Sequence, residues 1–154
     1  MAAVFGLLRK KLGFLFSTQA HKQTKENTGD SNIINISKNL DKNLQRVEAT
    51  FEDASDVDIR HFYVGISNKT KAFAVFIDGL VDKKSIDDNI LKPLIIEMRL
   101  VTDEKNKVDF ANFLEKSALT IGGIKETKNF SDAIEAVLSG NTALFFDGAD
   151  VAII

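Results

Sequence analysis

Apolar residues between positions 37 and 77 recur first at helical spacing and then at strand spacing. Ser37 is a residue type that favours the N-cap, so a helix is predicted to begin there. The apolar face of this helix consists of Leu40, Leu44, Val47 and Phe51. Two β-prone runs follow, at 57–64 and 71–77, with a turn predicted at 67–70 between them.

The middle of the chain predicts two more helices. Ser85 and Asp88 have the spacing of a capping box, and apolar residues follow them at helical intervals. Pro93 lies inside this pattern, so we expect the helix to kink or end near Lys92. A second amphipathic helix is predicted within 108–119 from the spacing of its phenylalanine and leucine residues.

A helix and a hairpin are predicted near the end of the chain. One apolar face runs through 130–138, and Gly140 follows where a left-handed residue commonly ends a helix. Two apolar runs, at 142–146 and 151–154, are separated by a short segment that contains an Asp-Gly pair, which favours a hairpin.

Helices and strands in this order predict an α/β (α+β) fold, with a small mixed sheet packed against helices over residues 37–154. The last residues form an apolar strand run, and domains seldom end on an unprotected strand. We therefore expect the natural protein to continue beyond Ile154.

The region before the predicted fold divides into a basic amphipathic segment, 1–16, and a polar linker, 17–36. Residues 1–25 contain five basic residues and no acidic one, which leaves 15 basic and 22 acidic residues in the remainder. The amphipathic surface consists of Phe5, Leu8, Arg9, Lys10, Lys11, Leu12 and Leu15. We interpret it as an interfacial helix on an anionic membrane, or as a helix docked on a partner domain or on this one. The acidic remainder argues against a nucleic-acid-binding face.

Residue types that carry common catalytic and metal chemistry are sparse in this chain. It has no cysteine, which excludes disulfides and thiolate metal sites. Its two histidines, His21 and His61, lack the close spacing of a metal-binding pair. Glycine-rich phosphate loops and a nucleophile elbow are also absent from the sequence. We predict no enzyme activity, no cofactor and no metal.

Two similar pentapeptides, "FIDGL" at 76–80 and "FFDGA" at 145–149, raise one catalytic hypothesis. Asp78 and Asp147 would need to lie within about 5 to 10 Å of each other to act as a carboxylate pair. A turn needs only local chemistry, because Asp bonds its own backbone and Gly adopts positive φ without strain. We therefore interpret Asp78, Gly79, Asp147 and Gly148 as structural turn residues.

Three long segments of the chain resemble the A subunit of GerA-type spore germinant receptors. They are "SKNLDKNLQRVEATFEDASDVDIRHFYVG", "KAFAVFIDGLVDKKSIDDNILKPL" and "SDAIEAVLSGNTALFFDGADVAII". The most specific stretches within them are "IDGLVDKKSIDDNILKPL" and "LSGNTALFFDGAD". The resemblance covers about residues 37–154 and leaves the basic segment outside it.

The resemblance implies a soluble N-terminal module of a membrane protein that takes part in nutrient-triggered germination. In that family the N-terminal region has two small α/β subdomains with some likeness to solute-binding proteins, and this chain would be the first. The implied partners are the B and C subunits and the second subdomain. The implied location is the cytoplasmic side of the spore inner membrane. Direct binding of a small nutrient between the two subdomains is the alternative, and no catalytic or ligand-binding residue carries over.

The turn interpretation of the second Asp-Gly pair predicts different outcomes for its two residues. Asp147→Asn should be tolerated because Asn-Gly forms the same turn, whereas Gly148→Val should destabilise because a β-branched residue resists positive φ. Thermal unfolding of both variants beside the unaltered chain measures this contrast. Loss of function in an Asp147→Asn protein that still folds and assembles would show a further role for the carboxylate.

Overall fold

The computed structural model describes residues 33–65, 70–97 and 123–154. The helices and strands are α1 (Leu40–Thr50), β1 (Val57–Val64), β2 (Thr70–Ile77), α2 (Lys83–Ile86), β3 (Glu126–Thr127), α3 (Phe130–Leu138), β4 (Ala143–Phe146) and β5 (Ala152–Ile153). Residues Asp87–Leu91 and Pro93–Glu97 continue α2 as π-helical turns. The helix predicted within 108–119 lies outside the described residues, and so do residues 67–69 of the turn predicted at 67–70, whereas Thr70 begins β2.

The five strands form one sheet in the order β1-β2-β4-β5-β3. Within the described ranges every pairing of these strands is antiparallel, where the prediction had both directions. The α/β fold class is confirmed, and so is the predicted hairpin, in which β4 pairs with β5 and Phe145 lies opposite Ala152. Short connections account for the antiparallel β1–β2 and β4–β5 pairs, since parallel neighbours need long crossovers, whereas helical segments connect β2 to β4.

Both faces of the sheet carry an apolar core, because successive strand residues point to opposite faces. On one face Phe73, Val75 and Ile77 pack with α1 and α3. On the other face Ala72, Ala74 and Phe76 pack with α2 and the π-helical turns, and residues 72–77 are all buried. This two-sided burial explains why β2 is a continuous apolar run instead of an alternating one.

Side chains of Asn and Asp cap the beginnings of α1, α2 and α3. Asn39 accepts a hydrogen bond from the Lys42 N–H at 3.0 Å, and Asp82 and Asn129 cap α2 and α3 in the same manner. The predicted N-caps Ser37 and Ser85 are therefore wrong. Ser37 instead accepts a hydrogen bond from the Asn39 N–H, and Ser85 lies inside α2. In each case an Asn or Asp two or three residues away competes for the cap position.

Helical turns continue through Pro93 to Glu97, so of the kink or end predicted near Lys92, the end is wrong. The Lys92 N–H donates to the carbonyl of Asp87, five residues earlier, which is the π-helical pattern. Proline cannot donate such a bond itself, and the wider turns carry the helix past it.

The folded region includes residues that the sequence assigned to the linker. The Ile36 N–H donates to the Lys128 carbonyl at 2.8 Å, and the Phe130 N–H donates to the Ile34 carbonyl at 2.8 Å. Ile36 is itself buried. The chain is therefore already hydrogen-bonded to the segment at the beginning of α3 before it reaches Ser37.

Asn43 fastens this entering segment to α1. Its side chain is buried, its Oδ1 accepts from the Ser37 N–H at 2.9 Å, and its Nδ2 donates to the Ser37 carbonyl at 2.6 Å. A buried amide that satisfies both backbone groups of one residue holds that residue in a single position.

Asn43→Ala should lower the free energy of unfolding by about 2 to 3 kcal/mol, because the Ser37 N–H and carbonyl lose their partners. Urea denaturation followed by circular dichroism measures the loss. Gln45→Ala, at an exposed position of the same helix, is the control and should change stability by less than about 0.5 kcal/mol. Equal effects of the two substitutions would contradict the role of Asn43.

Candidate interaction site

Asp78 and Asp147 lie at opposite ends of the sheet. Asp78 directly follows β2, whereas the Asp147 N–H donates at 2.9 Å to the carbonyl of Lys71, at the beginning of the same strand. Seven residue-to-residue steps of extended chain lead from Lys71 to Asp78, which corresponds to about 23 Å. The two carboxylates are thus too far apart to act on one reacting atom. We call these two regions the Asp78 end and the Asp147 end.

At the Asp78 end, Asp78 and Gly79 connect β2 to α2. Gly79 has φ of +83°, and the Leu80 N–H donates to the Ile77 carbonyl at 3.2 Å. The Asp78 N–H donates to the carbonyl of Asp56 at 2.7 Å, in the loop between α1 and β1. This segment therefore connects the end of β2 with the beginning of α2 and with the loop that precedes β1.

At the Asp147 end, Asp147 and Gly148 connect β4 to β5 and also contact α1. Gly148 has φ of +82°, and its N–H donates to the carbonyl of Lys38 at 2.8 Å. The Asp147 Oδ1 accepts a long hydrogen bond, 3.4 Å, from the N–H of Leu40 in the first turn of the helix. An Asn at position 147 keeps this oxygen, as the turn interpretation requires.

Five alternating charges form a cluster at the Asp78 end, and we call them the charged cluster: Asp87, Arg60, Asp58, Lys83 and Asp78. Arg60 contacts Asp87 through Nη1 and lies 3.5 Å from Asp58 through Nε. Lys83 lies 3.5 Å from Asp58 and 3.0 Å from Asp78. Because its members come from β1, α2, the turn after β2 and the first π-helical turn, the cluster attaches the helical layer to the sheet.

The side chains of the charged cluster are partly exposed to solvent, which limits how much each ion pair stabilises the fold. Arg60 is the most enclosed cation, with 28% of its side chain exposed and its guanidinium 5.2 Å from the centre of the Phe76 ring. The hydrogen bond from Lys83 to Asp78 raises the pKa of Lys83 above its ordinary value. A raised lysine pKa stabilises the fold below about pH 10.4, and the effect is lost as the pH rises through the folded-state pKa.

The structure also describes one of the two histidines. His61 lies exposed on β1, with its ring 6.2 Å from that of Phe73. Within the described ranges no three His, Asp or Glu side chains form a group that could hold a metal ion.

None of the helices in those ranges is long and apolar enough to cross a membrane. The predicted membrane surface, Phe5, Leu8, Arg9, Lys10, Lys11, Leu12 and Leu15, lies outside the described residues.

The charged cluster and the hydrogen bonds between the Asn43 side chain and the Ser37 backbone were not predicted from sequence. Arg60 and Asp87 are 27 positions apart, and nothing local to either residue indicates the other. Asn43 gave a weak signal, since it lies three residues after Leu40 and four before Val47, on the apolar face of the helix.

Comparison with known proteins identifies a family for most of the chain. Residues 45–154 match the family described as "Bacillus/Clostridium GerA spore germination protein". Spore germination protein KA of Bacillus subtilis (strain 168) is 30% identical over 119 residues, which cover 77% of this chain and 21% of that protein. The uncharacterized membrane protein YfkQ of the same organism is 29% identical over 113 residues, which cover 73% of this chain and 20% of that protein.

A solved structure has the same fold. The crystal structure of the N-terminal domain of the A subunit of the Bacillus megaterium spore germinant receptor GerK3 matches with a TM-score of 0.68 and 25% sequence identity, over 79% of this chain and 47% of that one. The chain spans about a fifth of the length of the curated relatives that it matches. The resemblance seen in the sequence is confirmed, and the chain belongs to the family of Bacillus/Clostridium GerA spore germination proteins.

Proposed function

We propose that this chain is the first subdomain of the N-terminal region of a germinant receptor A subunit, and that it acts in receptor assembly and signal transduction. The observation that carries the proposal is the match to the GerK3 N-terminal domain, of which the chain covers 47%. One of two similar subdomains would account for about that share. The receptor would lie in the spore inner membrane with this region on the cytoplasmic side.

The packing of the sheet supports an assembly role. Apolar cores occupy both of its faces, with Phe73 and Phe145 in one core and Phe76 and Phe146 in the other. The outer helix surfaces and the two ends of the sheet therefore remain for contacts with other proteins. We propose the second subdomain and the B and C subunits as the proteins that contact them.

A non-enzymatic role agrees with the separation of the two Asp-Gly pairs. A hydrolase that uses Asp78 and Asp147 together would need both carboxylates at one site. The strand register places them at opposite ends of β2 instead. The proposed function therefore assigns them to turns and to attachment of the helices.

Disruption of the core in the full-length A subunit tests this function in spores. Phe145→Asp places a charge in a fully buried position, so we expect loss of the nutrient response together with reduced B and C subunit levels in the inner membrane. Germination is followed by loss of optical density, and subunit levels by immunoblot. Gln45→Ala is the control and should leave both unchanged. Normal germination and normal subunit levels with Phe145→Asp would refute the proposal.

The alternative function, direct binding of a nutrient between the two subdomains, predicts a different result. Titration of the two-subdomain protein with amino acids and glucose would shift amide resonances in this subdomain if a nutrient bound there. Under the assembly proposal these resonances stay in place. Saturable shifts would move direct binding ahead of it.

The charged cluster should contribute to the free energy of unfolding, because it attaches α2 to the sheet. Arg60→Met should lower the free energy of unfolding by about 1 to 2 kcal/mol, through loss of two carboxylate contacts and of the contact with the Phe76 ring. Urea denaturation measures the change. Lys92→Met is the matched control, since it removes one exposed pair with Asp88, and should cost less than about 0.5 kcal/mol. Similar losses in the two variants would contradict a special role for Arg60.

A further inference from the structure

Negative charge accumulates at the Asp78 end of the domain. Glu48, Glu52 and Asp56 are exposed there, and within the described residues none of the three forms an ion pair. Glu48 lies in the last turn of α1, which contains no basic residue, and Glu52 follows the end of the helix. The connection to β1 then brings Asp56 next to Asp78.

The helices add to this negative charge because two of them end in the same region. α1 ends at Thr50, before the start of β1, and α3 ends at Leu138, before the start of β4. Val57 and Ala143 both lie near the end of β2, opposite Ile77 and Val75 respectively. A helix C-terminus carries a partial negative charge, and carboxylates near it are unfavourable. A cationic partner would relieve this repulsion.

An apolar side chain lies beside these charges. Leu80 is 43% exposed in the turn after β2, and it packs near Gly140 at the end of α3. A partner that fits this end should therefore combine several positive charges with an apolar stripe.

The chain itself contains such a segment. Residues 1–16 combine Arg9, Lys10 and Lys11 with an apolar stripe, and residues 1–25 have no acidic side chain. Sixteen residues, 17–32, lie between this segment and Ile33. Sixteen residues reach at most about 53 Å when fully extended, which exceeds the length of β2, about 26 Å.

We propose that the basic segment 1–16 docks on the Asp78 end of its own chain. At helical spacing Arg9 and Lys11 flank the apolar stripe, so these two cations reach the carboxylates of Glu48, Glu52 and Asp56 while the stripe covers Leu80. Each exposed ion pair contributes only about 0 to 1 kcal/mol. Docking within one chain is nevertheless an intramolecular event, so weak pairs suffice for partial occupancy.

The contact is reversible and depends on ionic strength. At about 1 M salt the screening length falls to about 3 Å, and pairs of this kind lose most of their attraction. An anionic membrane would compete for the same positive charges. Docking and membrane binding of the segment are then mutually exclusive states.

Paramagnetic relaxation enhancement tests the docked state in the whole chain. The chain has no cysteine, so Ala3→Cys gives one site for a nitroxide label. At low salt we expect selective loss of amide signal intensity for residues 48–56 and 79–82, and recovery of that intensity at about 1 M NaCl. Uniform broadening, no broadening, or a pattern that salt does not change would overturn the proposal.

A pair of variants with equal charge change identifies the surface. Glu48→Gln with Glu52→Gln removes two negative charges at the Asp78 end and should abolish the selective broadening. Glu126→Lys makes the same change in net charge on β3, at the opposite edge of the sheet from β1, and should preserve it. If both variants behave alike, the Asp78 end is not the docking surface.

Vesicles of phosphatidylglycerol and phosphatidylcholine separate docking from membrane binding alone. We expect the label to broaden residues 48–56 without vesicles and to release them when vesicles are added. A label that responds to vesicles but never broadens the domain would show that the membrane is its only target. This experiment does not depend on receptor function, so its failure would leave the proposed assembly role untouched.

Discussion

The burial of β2 on both of its faces is the constraint on which the rest of this fold depends. Phe73 stacks on Phe145 with ring centres 4.8 Å apart, under α1 and α3. One residue further along β2, side chains point to the other face, where Phe76 and Phe146 lie in the core under α2. An aromatic pair adds about 0.5 to 1.5 kcal/mol beyond the burial of its area. A shift of β2 by one residue would exchange the two cores, so the strand fixes the position of every helix.

Each end of β2 also attaches a helix, on opposite faces of the sheet. At one end Lys71 binds the segment of Asp147 and Gly148, which reaches Lys38 and Leu40 at the beginning of α1. At the other end Asp78 reaches Lys83 in α2. The Asp-Gly pairs thus do more than reverse the chain. Their side chains and backbone groups make long-range contacts that a turn alone would not need.

Sequence patterns predicted the elements of this fold better than their ends and contacts. The apolar runs of β1, β2 and β4 and the faces of α1 and α3 were apparent because burial imposes a period on the sequence. The N-caps were misplaced at Ser37 and Ser85, since Asn39 and Asp82 offer the same chemistry nearby. Pro93 was expected to kink or end its helix near Lys92, but π-helical turns carry the helix past it. Arg60 could not be matched with Asp87, because only the folded chain brings them together.

β2 is attached to α2 at one of its ends and to α1 at the other. A force on α2 reaches β2 through the charged cluster, and a force on α1 reaches it through Asp147 and Gly148. Close-packed cores resist compression, so β2 would move with either helix instead of deforming. Loss of the Arg60 contacts would weaken the first connection and leave the second intact.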